Sequence, residues 1–223
     1  MSSKALPPPL PPETRTVGQL VAETLKLYGA KFWPSLALGV SLTVVNQITA
    51  GHSTPFQAVV LAACSPLMAA SFTGAVAIVG GVRPSPSVVA RAIVVGSIVF
   101  APAAFLTLLF VLPAVAWLAL LGLVVPVLVL EGLGVRAALR RAIQLARADY
   151  VHALGSLATL AVLFGLVKLT LVLLLRDLGD QGERAALALG DLVMSPLLFL
   201  GGALLYFDQA ARVGSSPRAR RSR

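Results

Sequence analysis

Charged residues are scarce in this chain of 223 residues: 12% are charged, 57% are hydrophobic, and the mean hydropathy is +0.89. An ordinary soluble domain carries about twice that share of charge, so a soluble fold of this size would lack polar surface. We therefore expect an all-α membrane protein, in which the bilayer replaces the missing polar shell. At roughly 20 residues per span, the length accommodates about six spans and no separate soluble domain.

Cysteine and histidine are also nearly absent. Cys64 is the only cysteine, so the chain forms no internal disulfide. His52 and His152 lie 100 residues apart, and with one cysteine they make no metal-ligand pattern. No serine has an evident base beside it. These deficits predict a protein that is not an enzyme and that uses no metal and no cofactor.

Acidic residues number nine against 18 lysines and arginines, which gives a net charge of +9. A basic chain often binds nucleic acid, but here the cations stand at the ends of apolar runs. Anionic lipid headgroups are therefore the expected partners, with other membrane proteins as a second class, and nucleic acid is not expected.

Apolar runs with almost no charge predict the spans. No residue between Ala92 and Leu130 is charged, and one helix of that length would measure about 58 Å, nearly twice the hydrocarbon thickness. The chain must fold back there, with Pro113 as the expected turn. Six spans are predicted, within a membrane domain of residues 15–213: 33–50, 58–79, 92–112, 114–130, 151–175 and 187–207. Residues 1–14, rich in proline, and the basic residues 214–223 are predicted to be disordered cytoplasmic tails.

The cations predict the orientation. With both termini in the cytoplasm, only Arg176 and Arg184 face outward and Lys168 lies within a span. The other fifteen cations face the cytoplasm, a strong positive-inside bias that favours an even number of spans in the cell membrane. They are Lys4, Arg15, Lys26, Lys31, Arg83, Arg91, Arg136, Arg140, Arg141, Arg147, Arg212, Arg218, Arg220, Arg221 and Arg223.

Two cytoplasmic segments have the pattern of amphipathic helices at a membrane surface. In the later one, apolar residues recur at helical spacing from Val135 to Tyr150. Its other face carries the cations expected to contact anionic lipid, namely Arg136, Arg140, Arg141 and Arg147. Residues 16–32 look similar and begin with Thr16 and Gln19 at the spacing of a capping box.

These segments indicate an internal repeat. At an offset of 118, Val17 pairs with Val135 and Phe32 with Tyr150; at an offset of 68, Phe32 pairs with Phe100 and Pro34 with Pro102. The chain thus reads as three units, each a surface helix followed by a hairpin of two spans. In the middle unit the surface helix is expected to be short, with Arg91 as its only cation.

Three stretches carry a family resemblance. They read TVGQLVAETLKLYGAKFWPSL, LVVPVLVLEGLGVRAALRRAIQLARADYVHALG and SPLLFLGGALLYFDQAAR. Over about residues 16–212 the chain resembles a large bacterial membrane family related to the membrane domain of some glycerophosphoryl diester phosphodiesterases. The resemblance implies a domain of six membrane helices. Enzymes of that kind hold their catalysis in a separate soluble barrel, so their activity is not expected here.

Two charges fall inside predicted spans. Lys168 is eight residues before Arg176, and Asp191 is seven residues after Arg184, so both lie roughly 10–12 Å inward from the same loop. A lone buried charge is costly, which favours a pair between them. The pair either fixes packing or forms a polar spot in a transport pathway. Lys168 reaching outward to the headgroups, or Asp191 capping a helix after Gly190, are the remaining interpretations.

Two more acids stand at the ends of spans. Glu131 ends the fourth predicted span. It is expected to stabilise the bend between that span and the surface helix by pairing with Arg136 or another cation of that helix. Asp208 ends the sixth span and is expected to meet Arg212 one turn further on. Gly201 and Gly202 suit close packing of helices.

The sequence supports two functional hypotheses. The first is a structural or accessory membrane protein that organises lipid or partner proteins. The second is a transporter or channel-like carrier of a small solute or lipid, which polar residues near mid-membrane would favour.

The orientation is testable with reporter fusions. Fusions after His52 and Gly179 should score as external, and fusions after Gly81 and Gly134 as cytoplasmic. A cytoplasmic score for the Gly179 fusion would contradict the predicted topology.

Overall fold

The computed structural model describes residues 11–215, which are almost entirely helical and contain no β-strand. Short 3-10 turns cover Pro12–Thr14, Ala37–Gly39 and Arg176–Leu178, and a π-helical turn covers Val127–Glu131. The α-helices of this part of the chain are α1 Val17–Ala30, α2 Phe32–Leu36, α3 Val40–Thr49, α4 Thr54–Ala63, α5 Ser65–Gly80, α6 Pro86–Leu106, α7 Val111–Leu121, α8 Val124–Pro126, α9 Val135–Ala148, α10 Tyr150–Leu175 and α11 Gly179–Ser215.

The two expected tails lie mostly outside the described residues. Where the description begins, Pro12–Thr14 forms a turn that packs against α11 instead of a disordered tail. At the other margin, α11 continues to Ser215 and so includes the first two residues of the expected C-terminal tail.

Four helical segments in the described part of the chain are long and apolar enough to cross a membrane. They are Pro86–Leu106, Val111–Glu131, Tyr150–Leu175 and Arg184–Gly214. A fifth is counted if α4 and α5, which bend by 57° between Ala63 and Ser65, form one span. Pro66 explains the break, because it sits in the first turn of α5 and cannot continue the hydrogen bonds of α4. The chain is therefore an all-helical protein compatible with several passes through a membrane.

The first predicted span, residues 33–50, differs from that group. It consists of α2, a 3-10 turn and α3, and α3 alone has 10 residues, about 15 Å of helix. A count of six spans, with this segment as one of them, stays a prediction.

The turn between the third and fourth predicted spans is at residues 107–110, not at Pro113. Pro113 is the third residue of α7, where a missing N–H leaves no hydrogen bond unmade. The Trp117 indole N–H donates to the carbonyl of Val99 at 2.9 Å and joins α7 to α6. Sequence reasoning misplaced the turn because proline both starts helices and ends them.

The helices α1 and α9, which the sequence predicts to be amphipathic, each contain 14 residues, and both of their ends coincide after a shift of 118. The capping box of Thr16 and Gln19 is present at the start of α1. The middle unit differs from its expected form, because α6 runs without a break from Pro86 to Leu106 and has no separate surface helix.

The centre of the bundle is α11, which packs against α1, α3, α5, α9 and α10. Small residues permit this crowding. A side chain at Gly201 would collide with Leu160 of α10, and one at Gly202 would lie 3.2 Å from Phe72 of α5. In contrast, only 6% of the most apolar part of α10 is buried, so α10 presents most of its apolar surface outward.

Just before Pro196, the backbone of α11 lies directly against the turn before α3. Pro196 has no N–H, so it cannot bond to the carbonyl of Leu192 four residues earlier. That carbonyl faces Gly39, where any side chain would collide with it. Glycine at this position therefore lets the first predicted span lie directly on the central helix.

Candidate functional site

Two clusters of buried polar side chains tie α10 to α11. We call the cluster around Lys168 and Asp191 the loop-end cluster, because it lies near the turn at residues 176–178. We call the cluster around Asp208 the terminal-end cluster, because it joins the first and last described segments of the chain.

The loop-end cluster brings together the two intramembrane charges that the sequence singles out. The Lys168 Nζ lies 2.6 Å from the Asp191 Oδ1, and Asp191 is fully buried. The Asn46 side chain of α3 donates from Nδ2 to the other carboxylate oxygen at 2.7 Å. Three helices therefore meet at one carboxylate.

The surroundings of this pair exclude two interpretations, namely that Asp191 caps a helix and that Lys168 extends outward to the headgroups. Asp191 lies well inside α11, which begins at Gly179, so it is not a helix cap. Lys168 turns toward the bundle, with its Nζ 5.2 Å from the ring centre of Phe164 and its side chain against Gly190. Its ammonium is held by charge pairing and by the aromatic face instead of extending to the headgroups.

A cavity of about 410 Å³ adjoins the loop-end cluster. Polar side chains and the backbone of the turn after α3 form most of its wall. The backbone carbonyl of Arg184 accepts a hydrogen bond from Gln47 at 3.2 Å, which ties α11 to the end of α3 beside the cavity. The lining residues are Asn46, Thr49, Ala50, Gly51, Gln57, Lys168, Arg184 and Leu187.

The terminal-end cluster centres on Asp208, which is fully buried in α11. Arg15 Nη1 lies 2.7 Å from the Asp208 Oδ1, across 193 residues of chain. His152 Nε2, near the start of α10, lies 3.6 Å from the second carboxylate oxygen. The segment before α1 is thereby attached to the helix that closes the described chain.

Asp149 forms the other half of this cluster. It caps α10 by accepting from the N–H of His152 at 3.0 Å, and it pairs with the guanidinium of Arg212. Arg212 also donates to the carbonyl of Arg15 at 2.9 Å, and Gln209 donates to the carbonyl of Asp149 at 3.0 Å. Arg212, expected beside Asp208, lies close enough for its charge to act on that carboxylate, and its ion pair is with Asp149, while Asp208 pairs with Arg15.

Sequence reasoning missed the terminal-end cluster as a unit. His152 was set aside as an isolated histidine, and nothing in its local sequence points to Asp208. One signal was available. His152 and Lys168 are 16 residues apart on α10, while Asp191 and Asp208 are 17 apart on α11, so antiparallel packing aligns both pairs.

Glu131 stabilises the bend of the chain that precedes α9. It ends the π-helical turn, and Gly132 then takes a left-handed conformation with φ of 64°. The Tyr206 hydroxyl donates to the Glu131 Oε1 at 2.8 Å, and Arg141 Nε lies 3.3 Å from the same oxygen. The cation that meets Glu131 is thus Arg141, which also donates to Gln144 at 3.1 Å.

The remaining cations of α9 are exposed. Ala138, Ala142 and Leu145 are buried against the bundle, while Val135 and Leu139 are exposed at 44% and 41%. No carboxylate among the described residues pairs with the three exposed cations of this helix, Arg136, Arg140 and Arg147. The outer surface of α9 therefore combines apolar side chains with unpaired positive charge.

Comparison with known proteins finds no match: no family model, no curated protein and no solved structure matches the chain. The two clusters, the cavity and the exposed surface of α9 are the features from which a function is inferred.

The Lys168–Asp191 pair generates a stability prediction. Removal of one member of a buried ion pair leaves the other uncompensated, at a cost of about 3–5 kcal/mol. Lys168→Ala and Asp191→Ala should each lower the melting temperature of the detergent-solubilised protein. The double variant should be less destabilised than the sum, because no orphan charge remains.

The control is Arg176→Ala with Asp177→Ala, an exposed pair 3.5 Å apart near the same loop. Such a surface pair contributes at most about 1 kcal/mol, so the losses of stability in its two single variants should nearly add up to the loss in the double variant. Additive losses at Lys168 and Asp191 as well would mean that the two charges do not interact.

Proposed function

We propose that this protein is a multi-pass protein of the cell membrane, without a catalytic site of its own, that binds anionic lipid at its cytoplasmic face. In this role it organises membrane lipid or partner membrane proteins. One observation carries the proposal: Arg136, Arg140 and Arg147 are exposed on α9 beside exposed apolar side chains. That combination suits a helix lying among headgroups, where apolar residues enter the interface and cations meet phosphate.

The proposed orientation has both termini in the cytoplasm. Fifteen of the 18 cations then lie on that side, as the positive-inside rule favours. Asp149 directly follows α9 and belongs to the terminal-end cluster with Arg15 and Arg212. This contact supports α9 and both ends of the described chain being on one side of the membrane.

Six spans and a repeated unit are part of the proposal. The matching ends of α1 and α9 support a unit in which a surface helix precedes a hairpin. Residues 32–49 and the bent pair α4 and α5 would be the first hairpin, and α10 and α11 the last. The family resemblance, to a bacterial family with six membrane helices, implies the same number.

The second candidate is a carrier of a small solute or lipid. The buried group of Lys168, Asp191 and Asn46 beside a cavity favours it, because ionisable residues within membrane spans often line transport pathways. The uptake of labelled solutes into proteoliposomes separates the candidates: an accessory protein moves none of them.

Lipid binding by α9 is tested with the triple variant Arg136→Gln, Arg140→Gln and Arg147→Gln. Each cation near an anionic surface contributes about 1 kcal/mol, so the affinity for phosphatidylglycerol should fall roughly 100-fold. The measurement is native mass spectrometry of the purified protein titrated with phosphatidylglycerol and with phosphatidylcholine.

The matched control removes three exposed cations from the same predicted face but outside α9, with Lys26→Gln, Arg83→Gln and Arg91→Gln. Both triple variants change the net charge equally. An equal loss of phosphatidylglycerol in the two variants would contradict a specific role for α9 and leave only a general attraction to positive charge.

A further inference from the structure

The cavity beside the loop-end cluster is positively charged. Two of its lining residues, Lys168 and Arg184, carry charge, and no acid lines it among the described residues. Asp191 neutralises Lys168 from within the bundle, at 2.6 Å. Arg184 is exposed, and it pairs with no carboxylate among the side chains that the structure describes, which do not include those of Asp180 and Glu183. One positive charge at the cavity therefore has no partner among the described side chains.

The hydrogen-bonding groups in the cavity also favour a negatively charged ligand. The Lys168 ammonium has three N–H donors, of which Asp191 takes one. The Arg184 guanidinium offers five donors in a planar fork that matches the two oxygens of an oxyanion. One of the two amide N–H donors of Asn46 is used on Asp191, and one of Gln57 on the carbonyl of His52, so each amide keeps a second donor and its carbonyl oxygen as an acceptor.

We propose that this cavity is a binding site for a small organic oxyanion, with a carboxylate or phosphate held by Arg184 and Lys168. The amide oxygens of Asn46 and Gln57 would accept from hydroxyl or amino groups on the rest of the molecule. The volume of about 410 Å³ lies within the range of small-molecule pockets. Asp191 and Asn46 hold Lys168 in place before the anion arrives, so little side-chain ordering accompanies binding.

This site is separate from α9. It rests on the carrier hypothesis and adds the chemical class of the ligand to it. The site requires only that the anion binds, not that the anion crosses the membrane. Binding without transport would therefore support the site while rejecting the carrier.

The experiment uses the full chain in uncharged detergent, titrated with inorganic phosphate or succinate at constant ionic strength. The melting temperature should rise with each anion and saturate, because a ligand that binds only the folded state stabilises it. Arg184→Gln should raise the dissociation constant about 10-fold or more, the effect of losing a charged hydrogen-bonding partner. This residue is exposed, so the variant should fold.

Arg176→Gln is the matched control. It removes an exposed cation eight residues before Arg184, but Arg176 is paired with Asp177 and does not line the cavity. The dissociation constants of this variant should stay within about twofold of those of the unmodified protein. A twofold change corresponds to less free energy than an exposed ion pair contributes at most.

A second arm separates free anions from lipid headgroups. The melting temperature is measured in nanodiscs of phosphatidylglycerol and of phosphatidylcholine. A stabilisation that depends on Arg184 and occurs only with phosphatidylglycerol would support the site and assign its oxyanion to a headgroup. No stabilisation dependent on Arg184 with any probe, or an equal loss in Arg176→Gln, would overturn the proposal.

Discussion

Two buried carboxylates on one helix determine how the bundle is arranged. Asp191 and Asp208 of α11 are both fully buried, and a buried charge needs a partner with good geometry to persist in an apolar interior. Asp191 meets Lys168 and Asn46, and Asp208 meets Arg15 and His152. The carboxylates lie 17 residues apart, about 25 Å along the helix, so they hold α10 at both of its ends and fix its register.

The functional features depend on this register. At the terminal end, Asp149 caps α10 immediately after α9 and binds Arg212, which sets where α9 lies on the bundle. With its small residues packed inward, α9 is left with Arg136, Arg140 and Arg147 exposed. At the loop end, the contact of Asn46 with Asp191 draws the end of α3 toward α11, and the polar cavity lies beside this contact. The proposed lipid-binding surface and the proposed anion site thus lie near opposite ends of the α10–α11 pair.

Features set by spacing along one segment could be predicted from the sequence. The pairing of Lys168 with Asp191 was predicted because both lie at a similar distance from one short turn. The start of α9 at Val135 was predicted because apolar residues recur at helical spacing from there, although the helix ends at Ala148 and Tyr150 begins α10. The contact of Arg15 with Asp208 could not be predicted, because the two residues are 193 positions apart and no local pattern relates them. The turn at 107–110 was missed for a different reason: proline is compatible with the first turn of a helix as well as with a break.

Asp208 is expected to hold the terminal end of α10 and α11 together independently of the loop end. Hydrogen exchange measured on the protein in nanodiscs tests it, with Asp208→Asn compared with Asp177→Asn, an exposed acid. Loss of the Asp208 charge should open the helices locally, so exchange should accelerate around residues 15–20, 150–156 and 208–212. Residues 165–171 and 188–195 should keep their protection, and Asp177→Asn should change neither region. Unchanged exchange at the terminal end of Asp208→Asn would contradict the account.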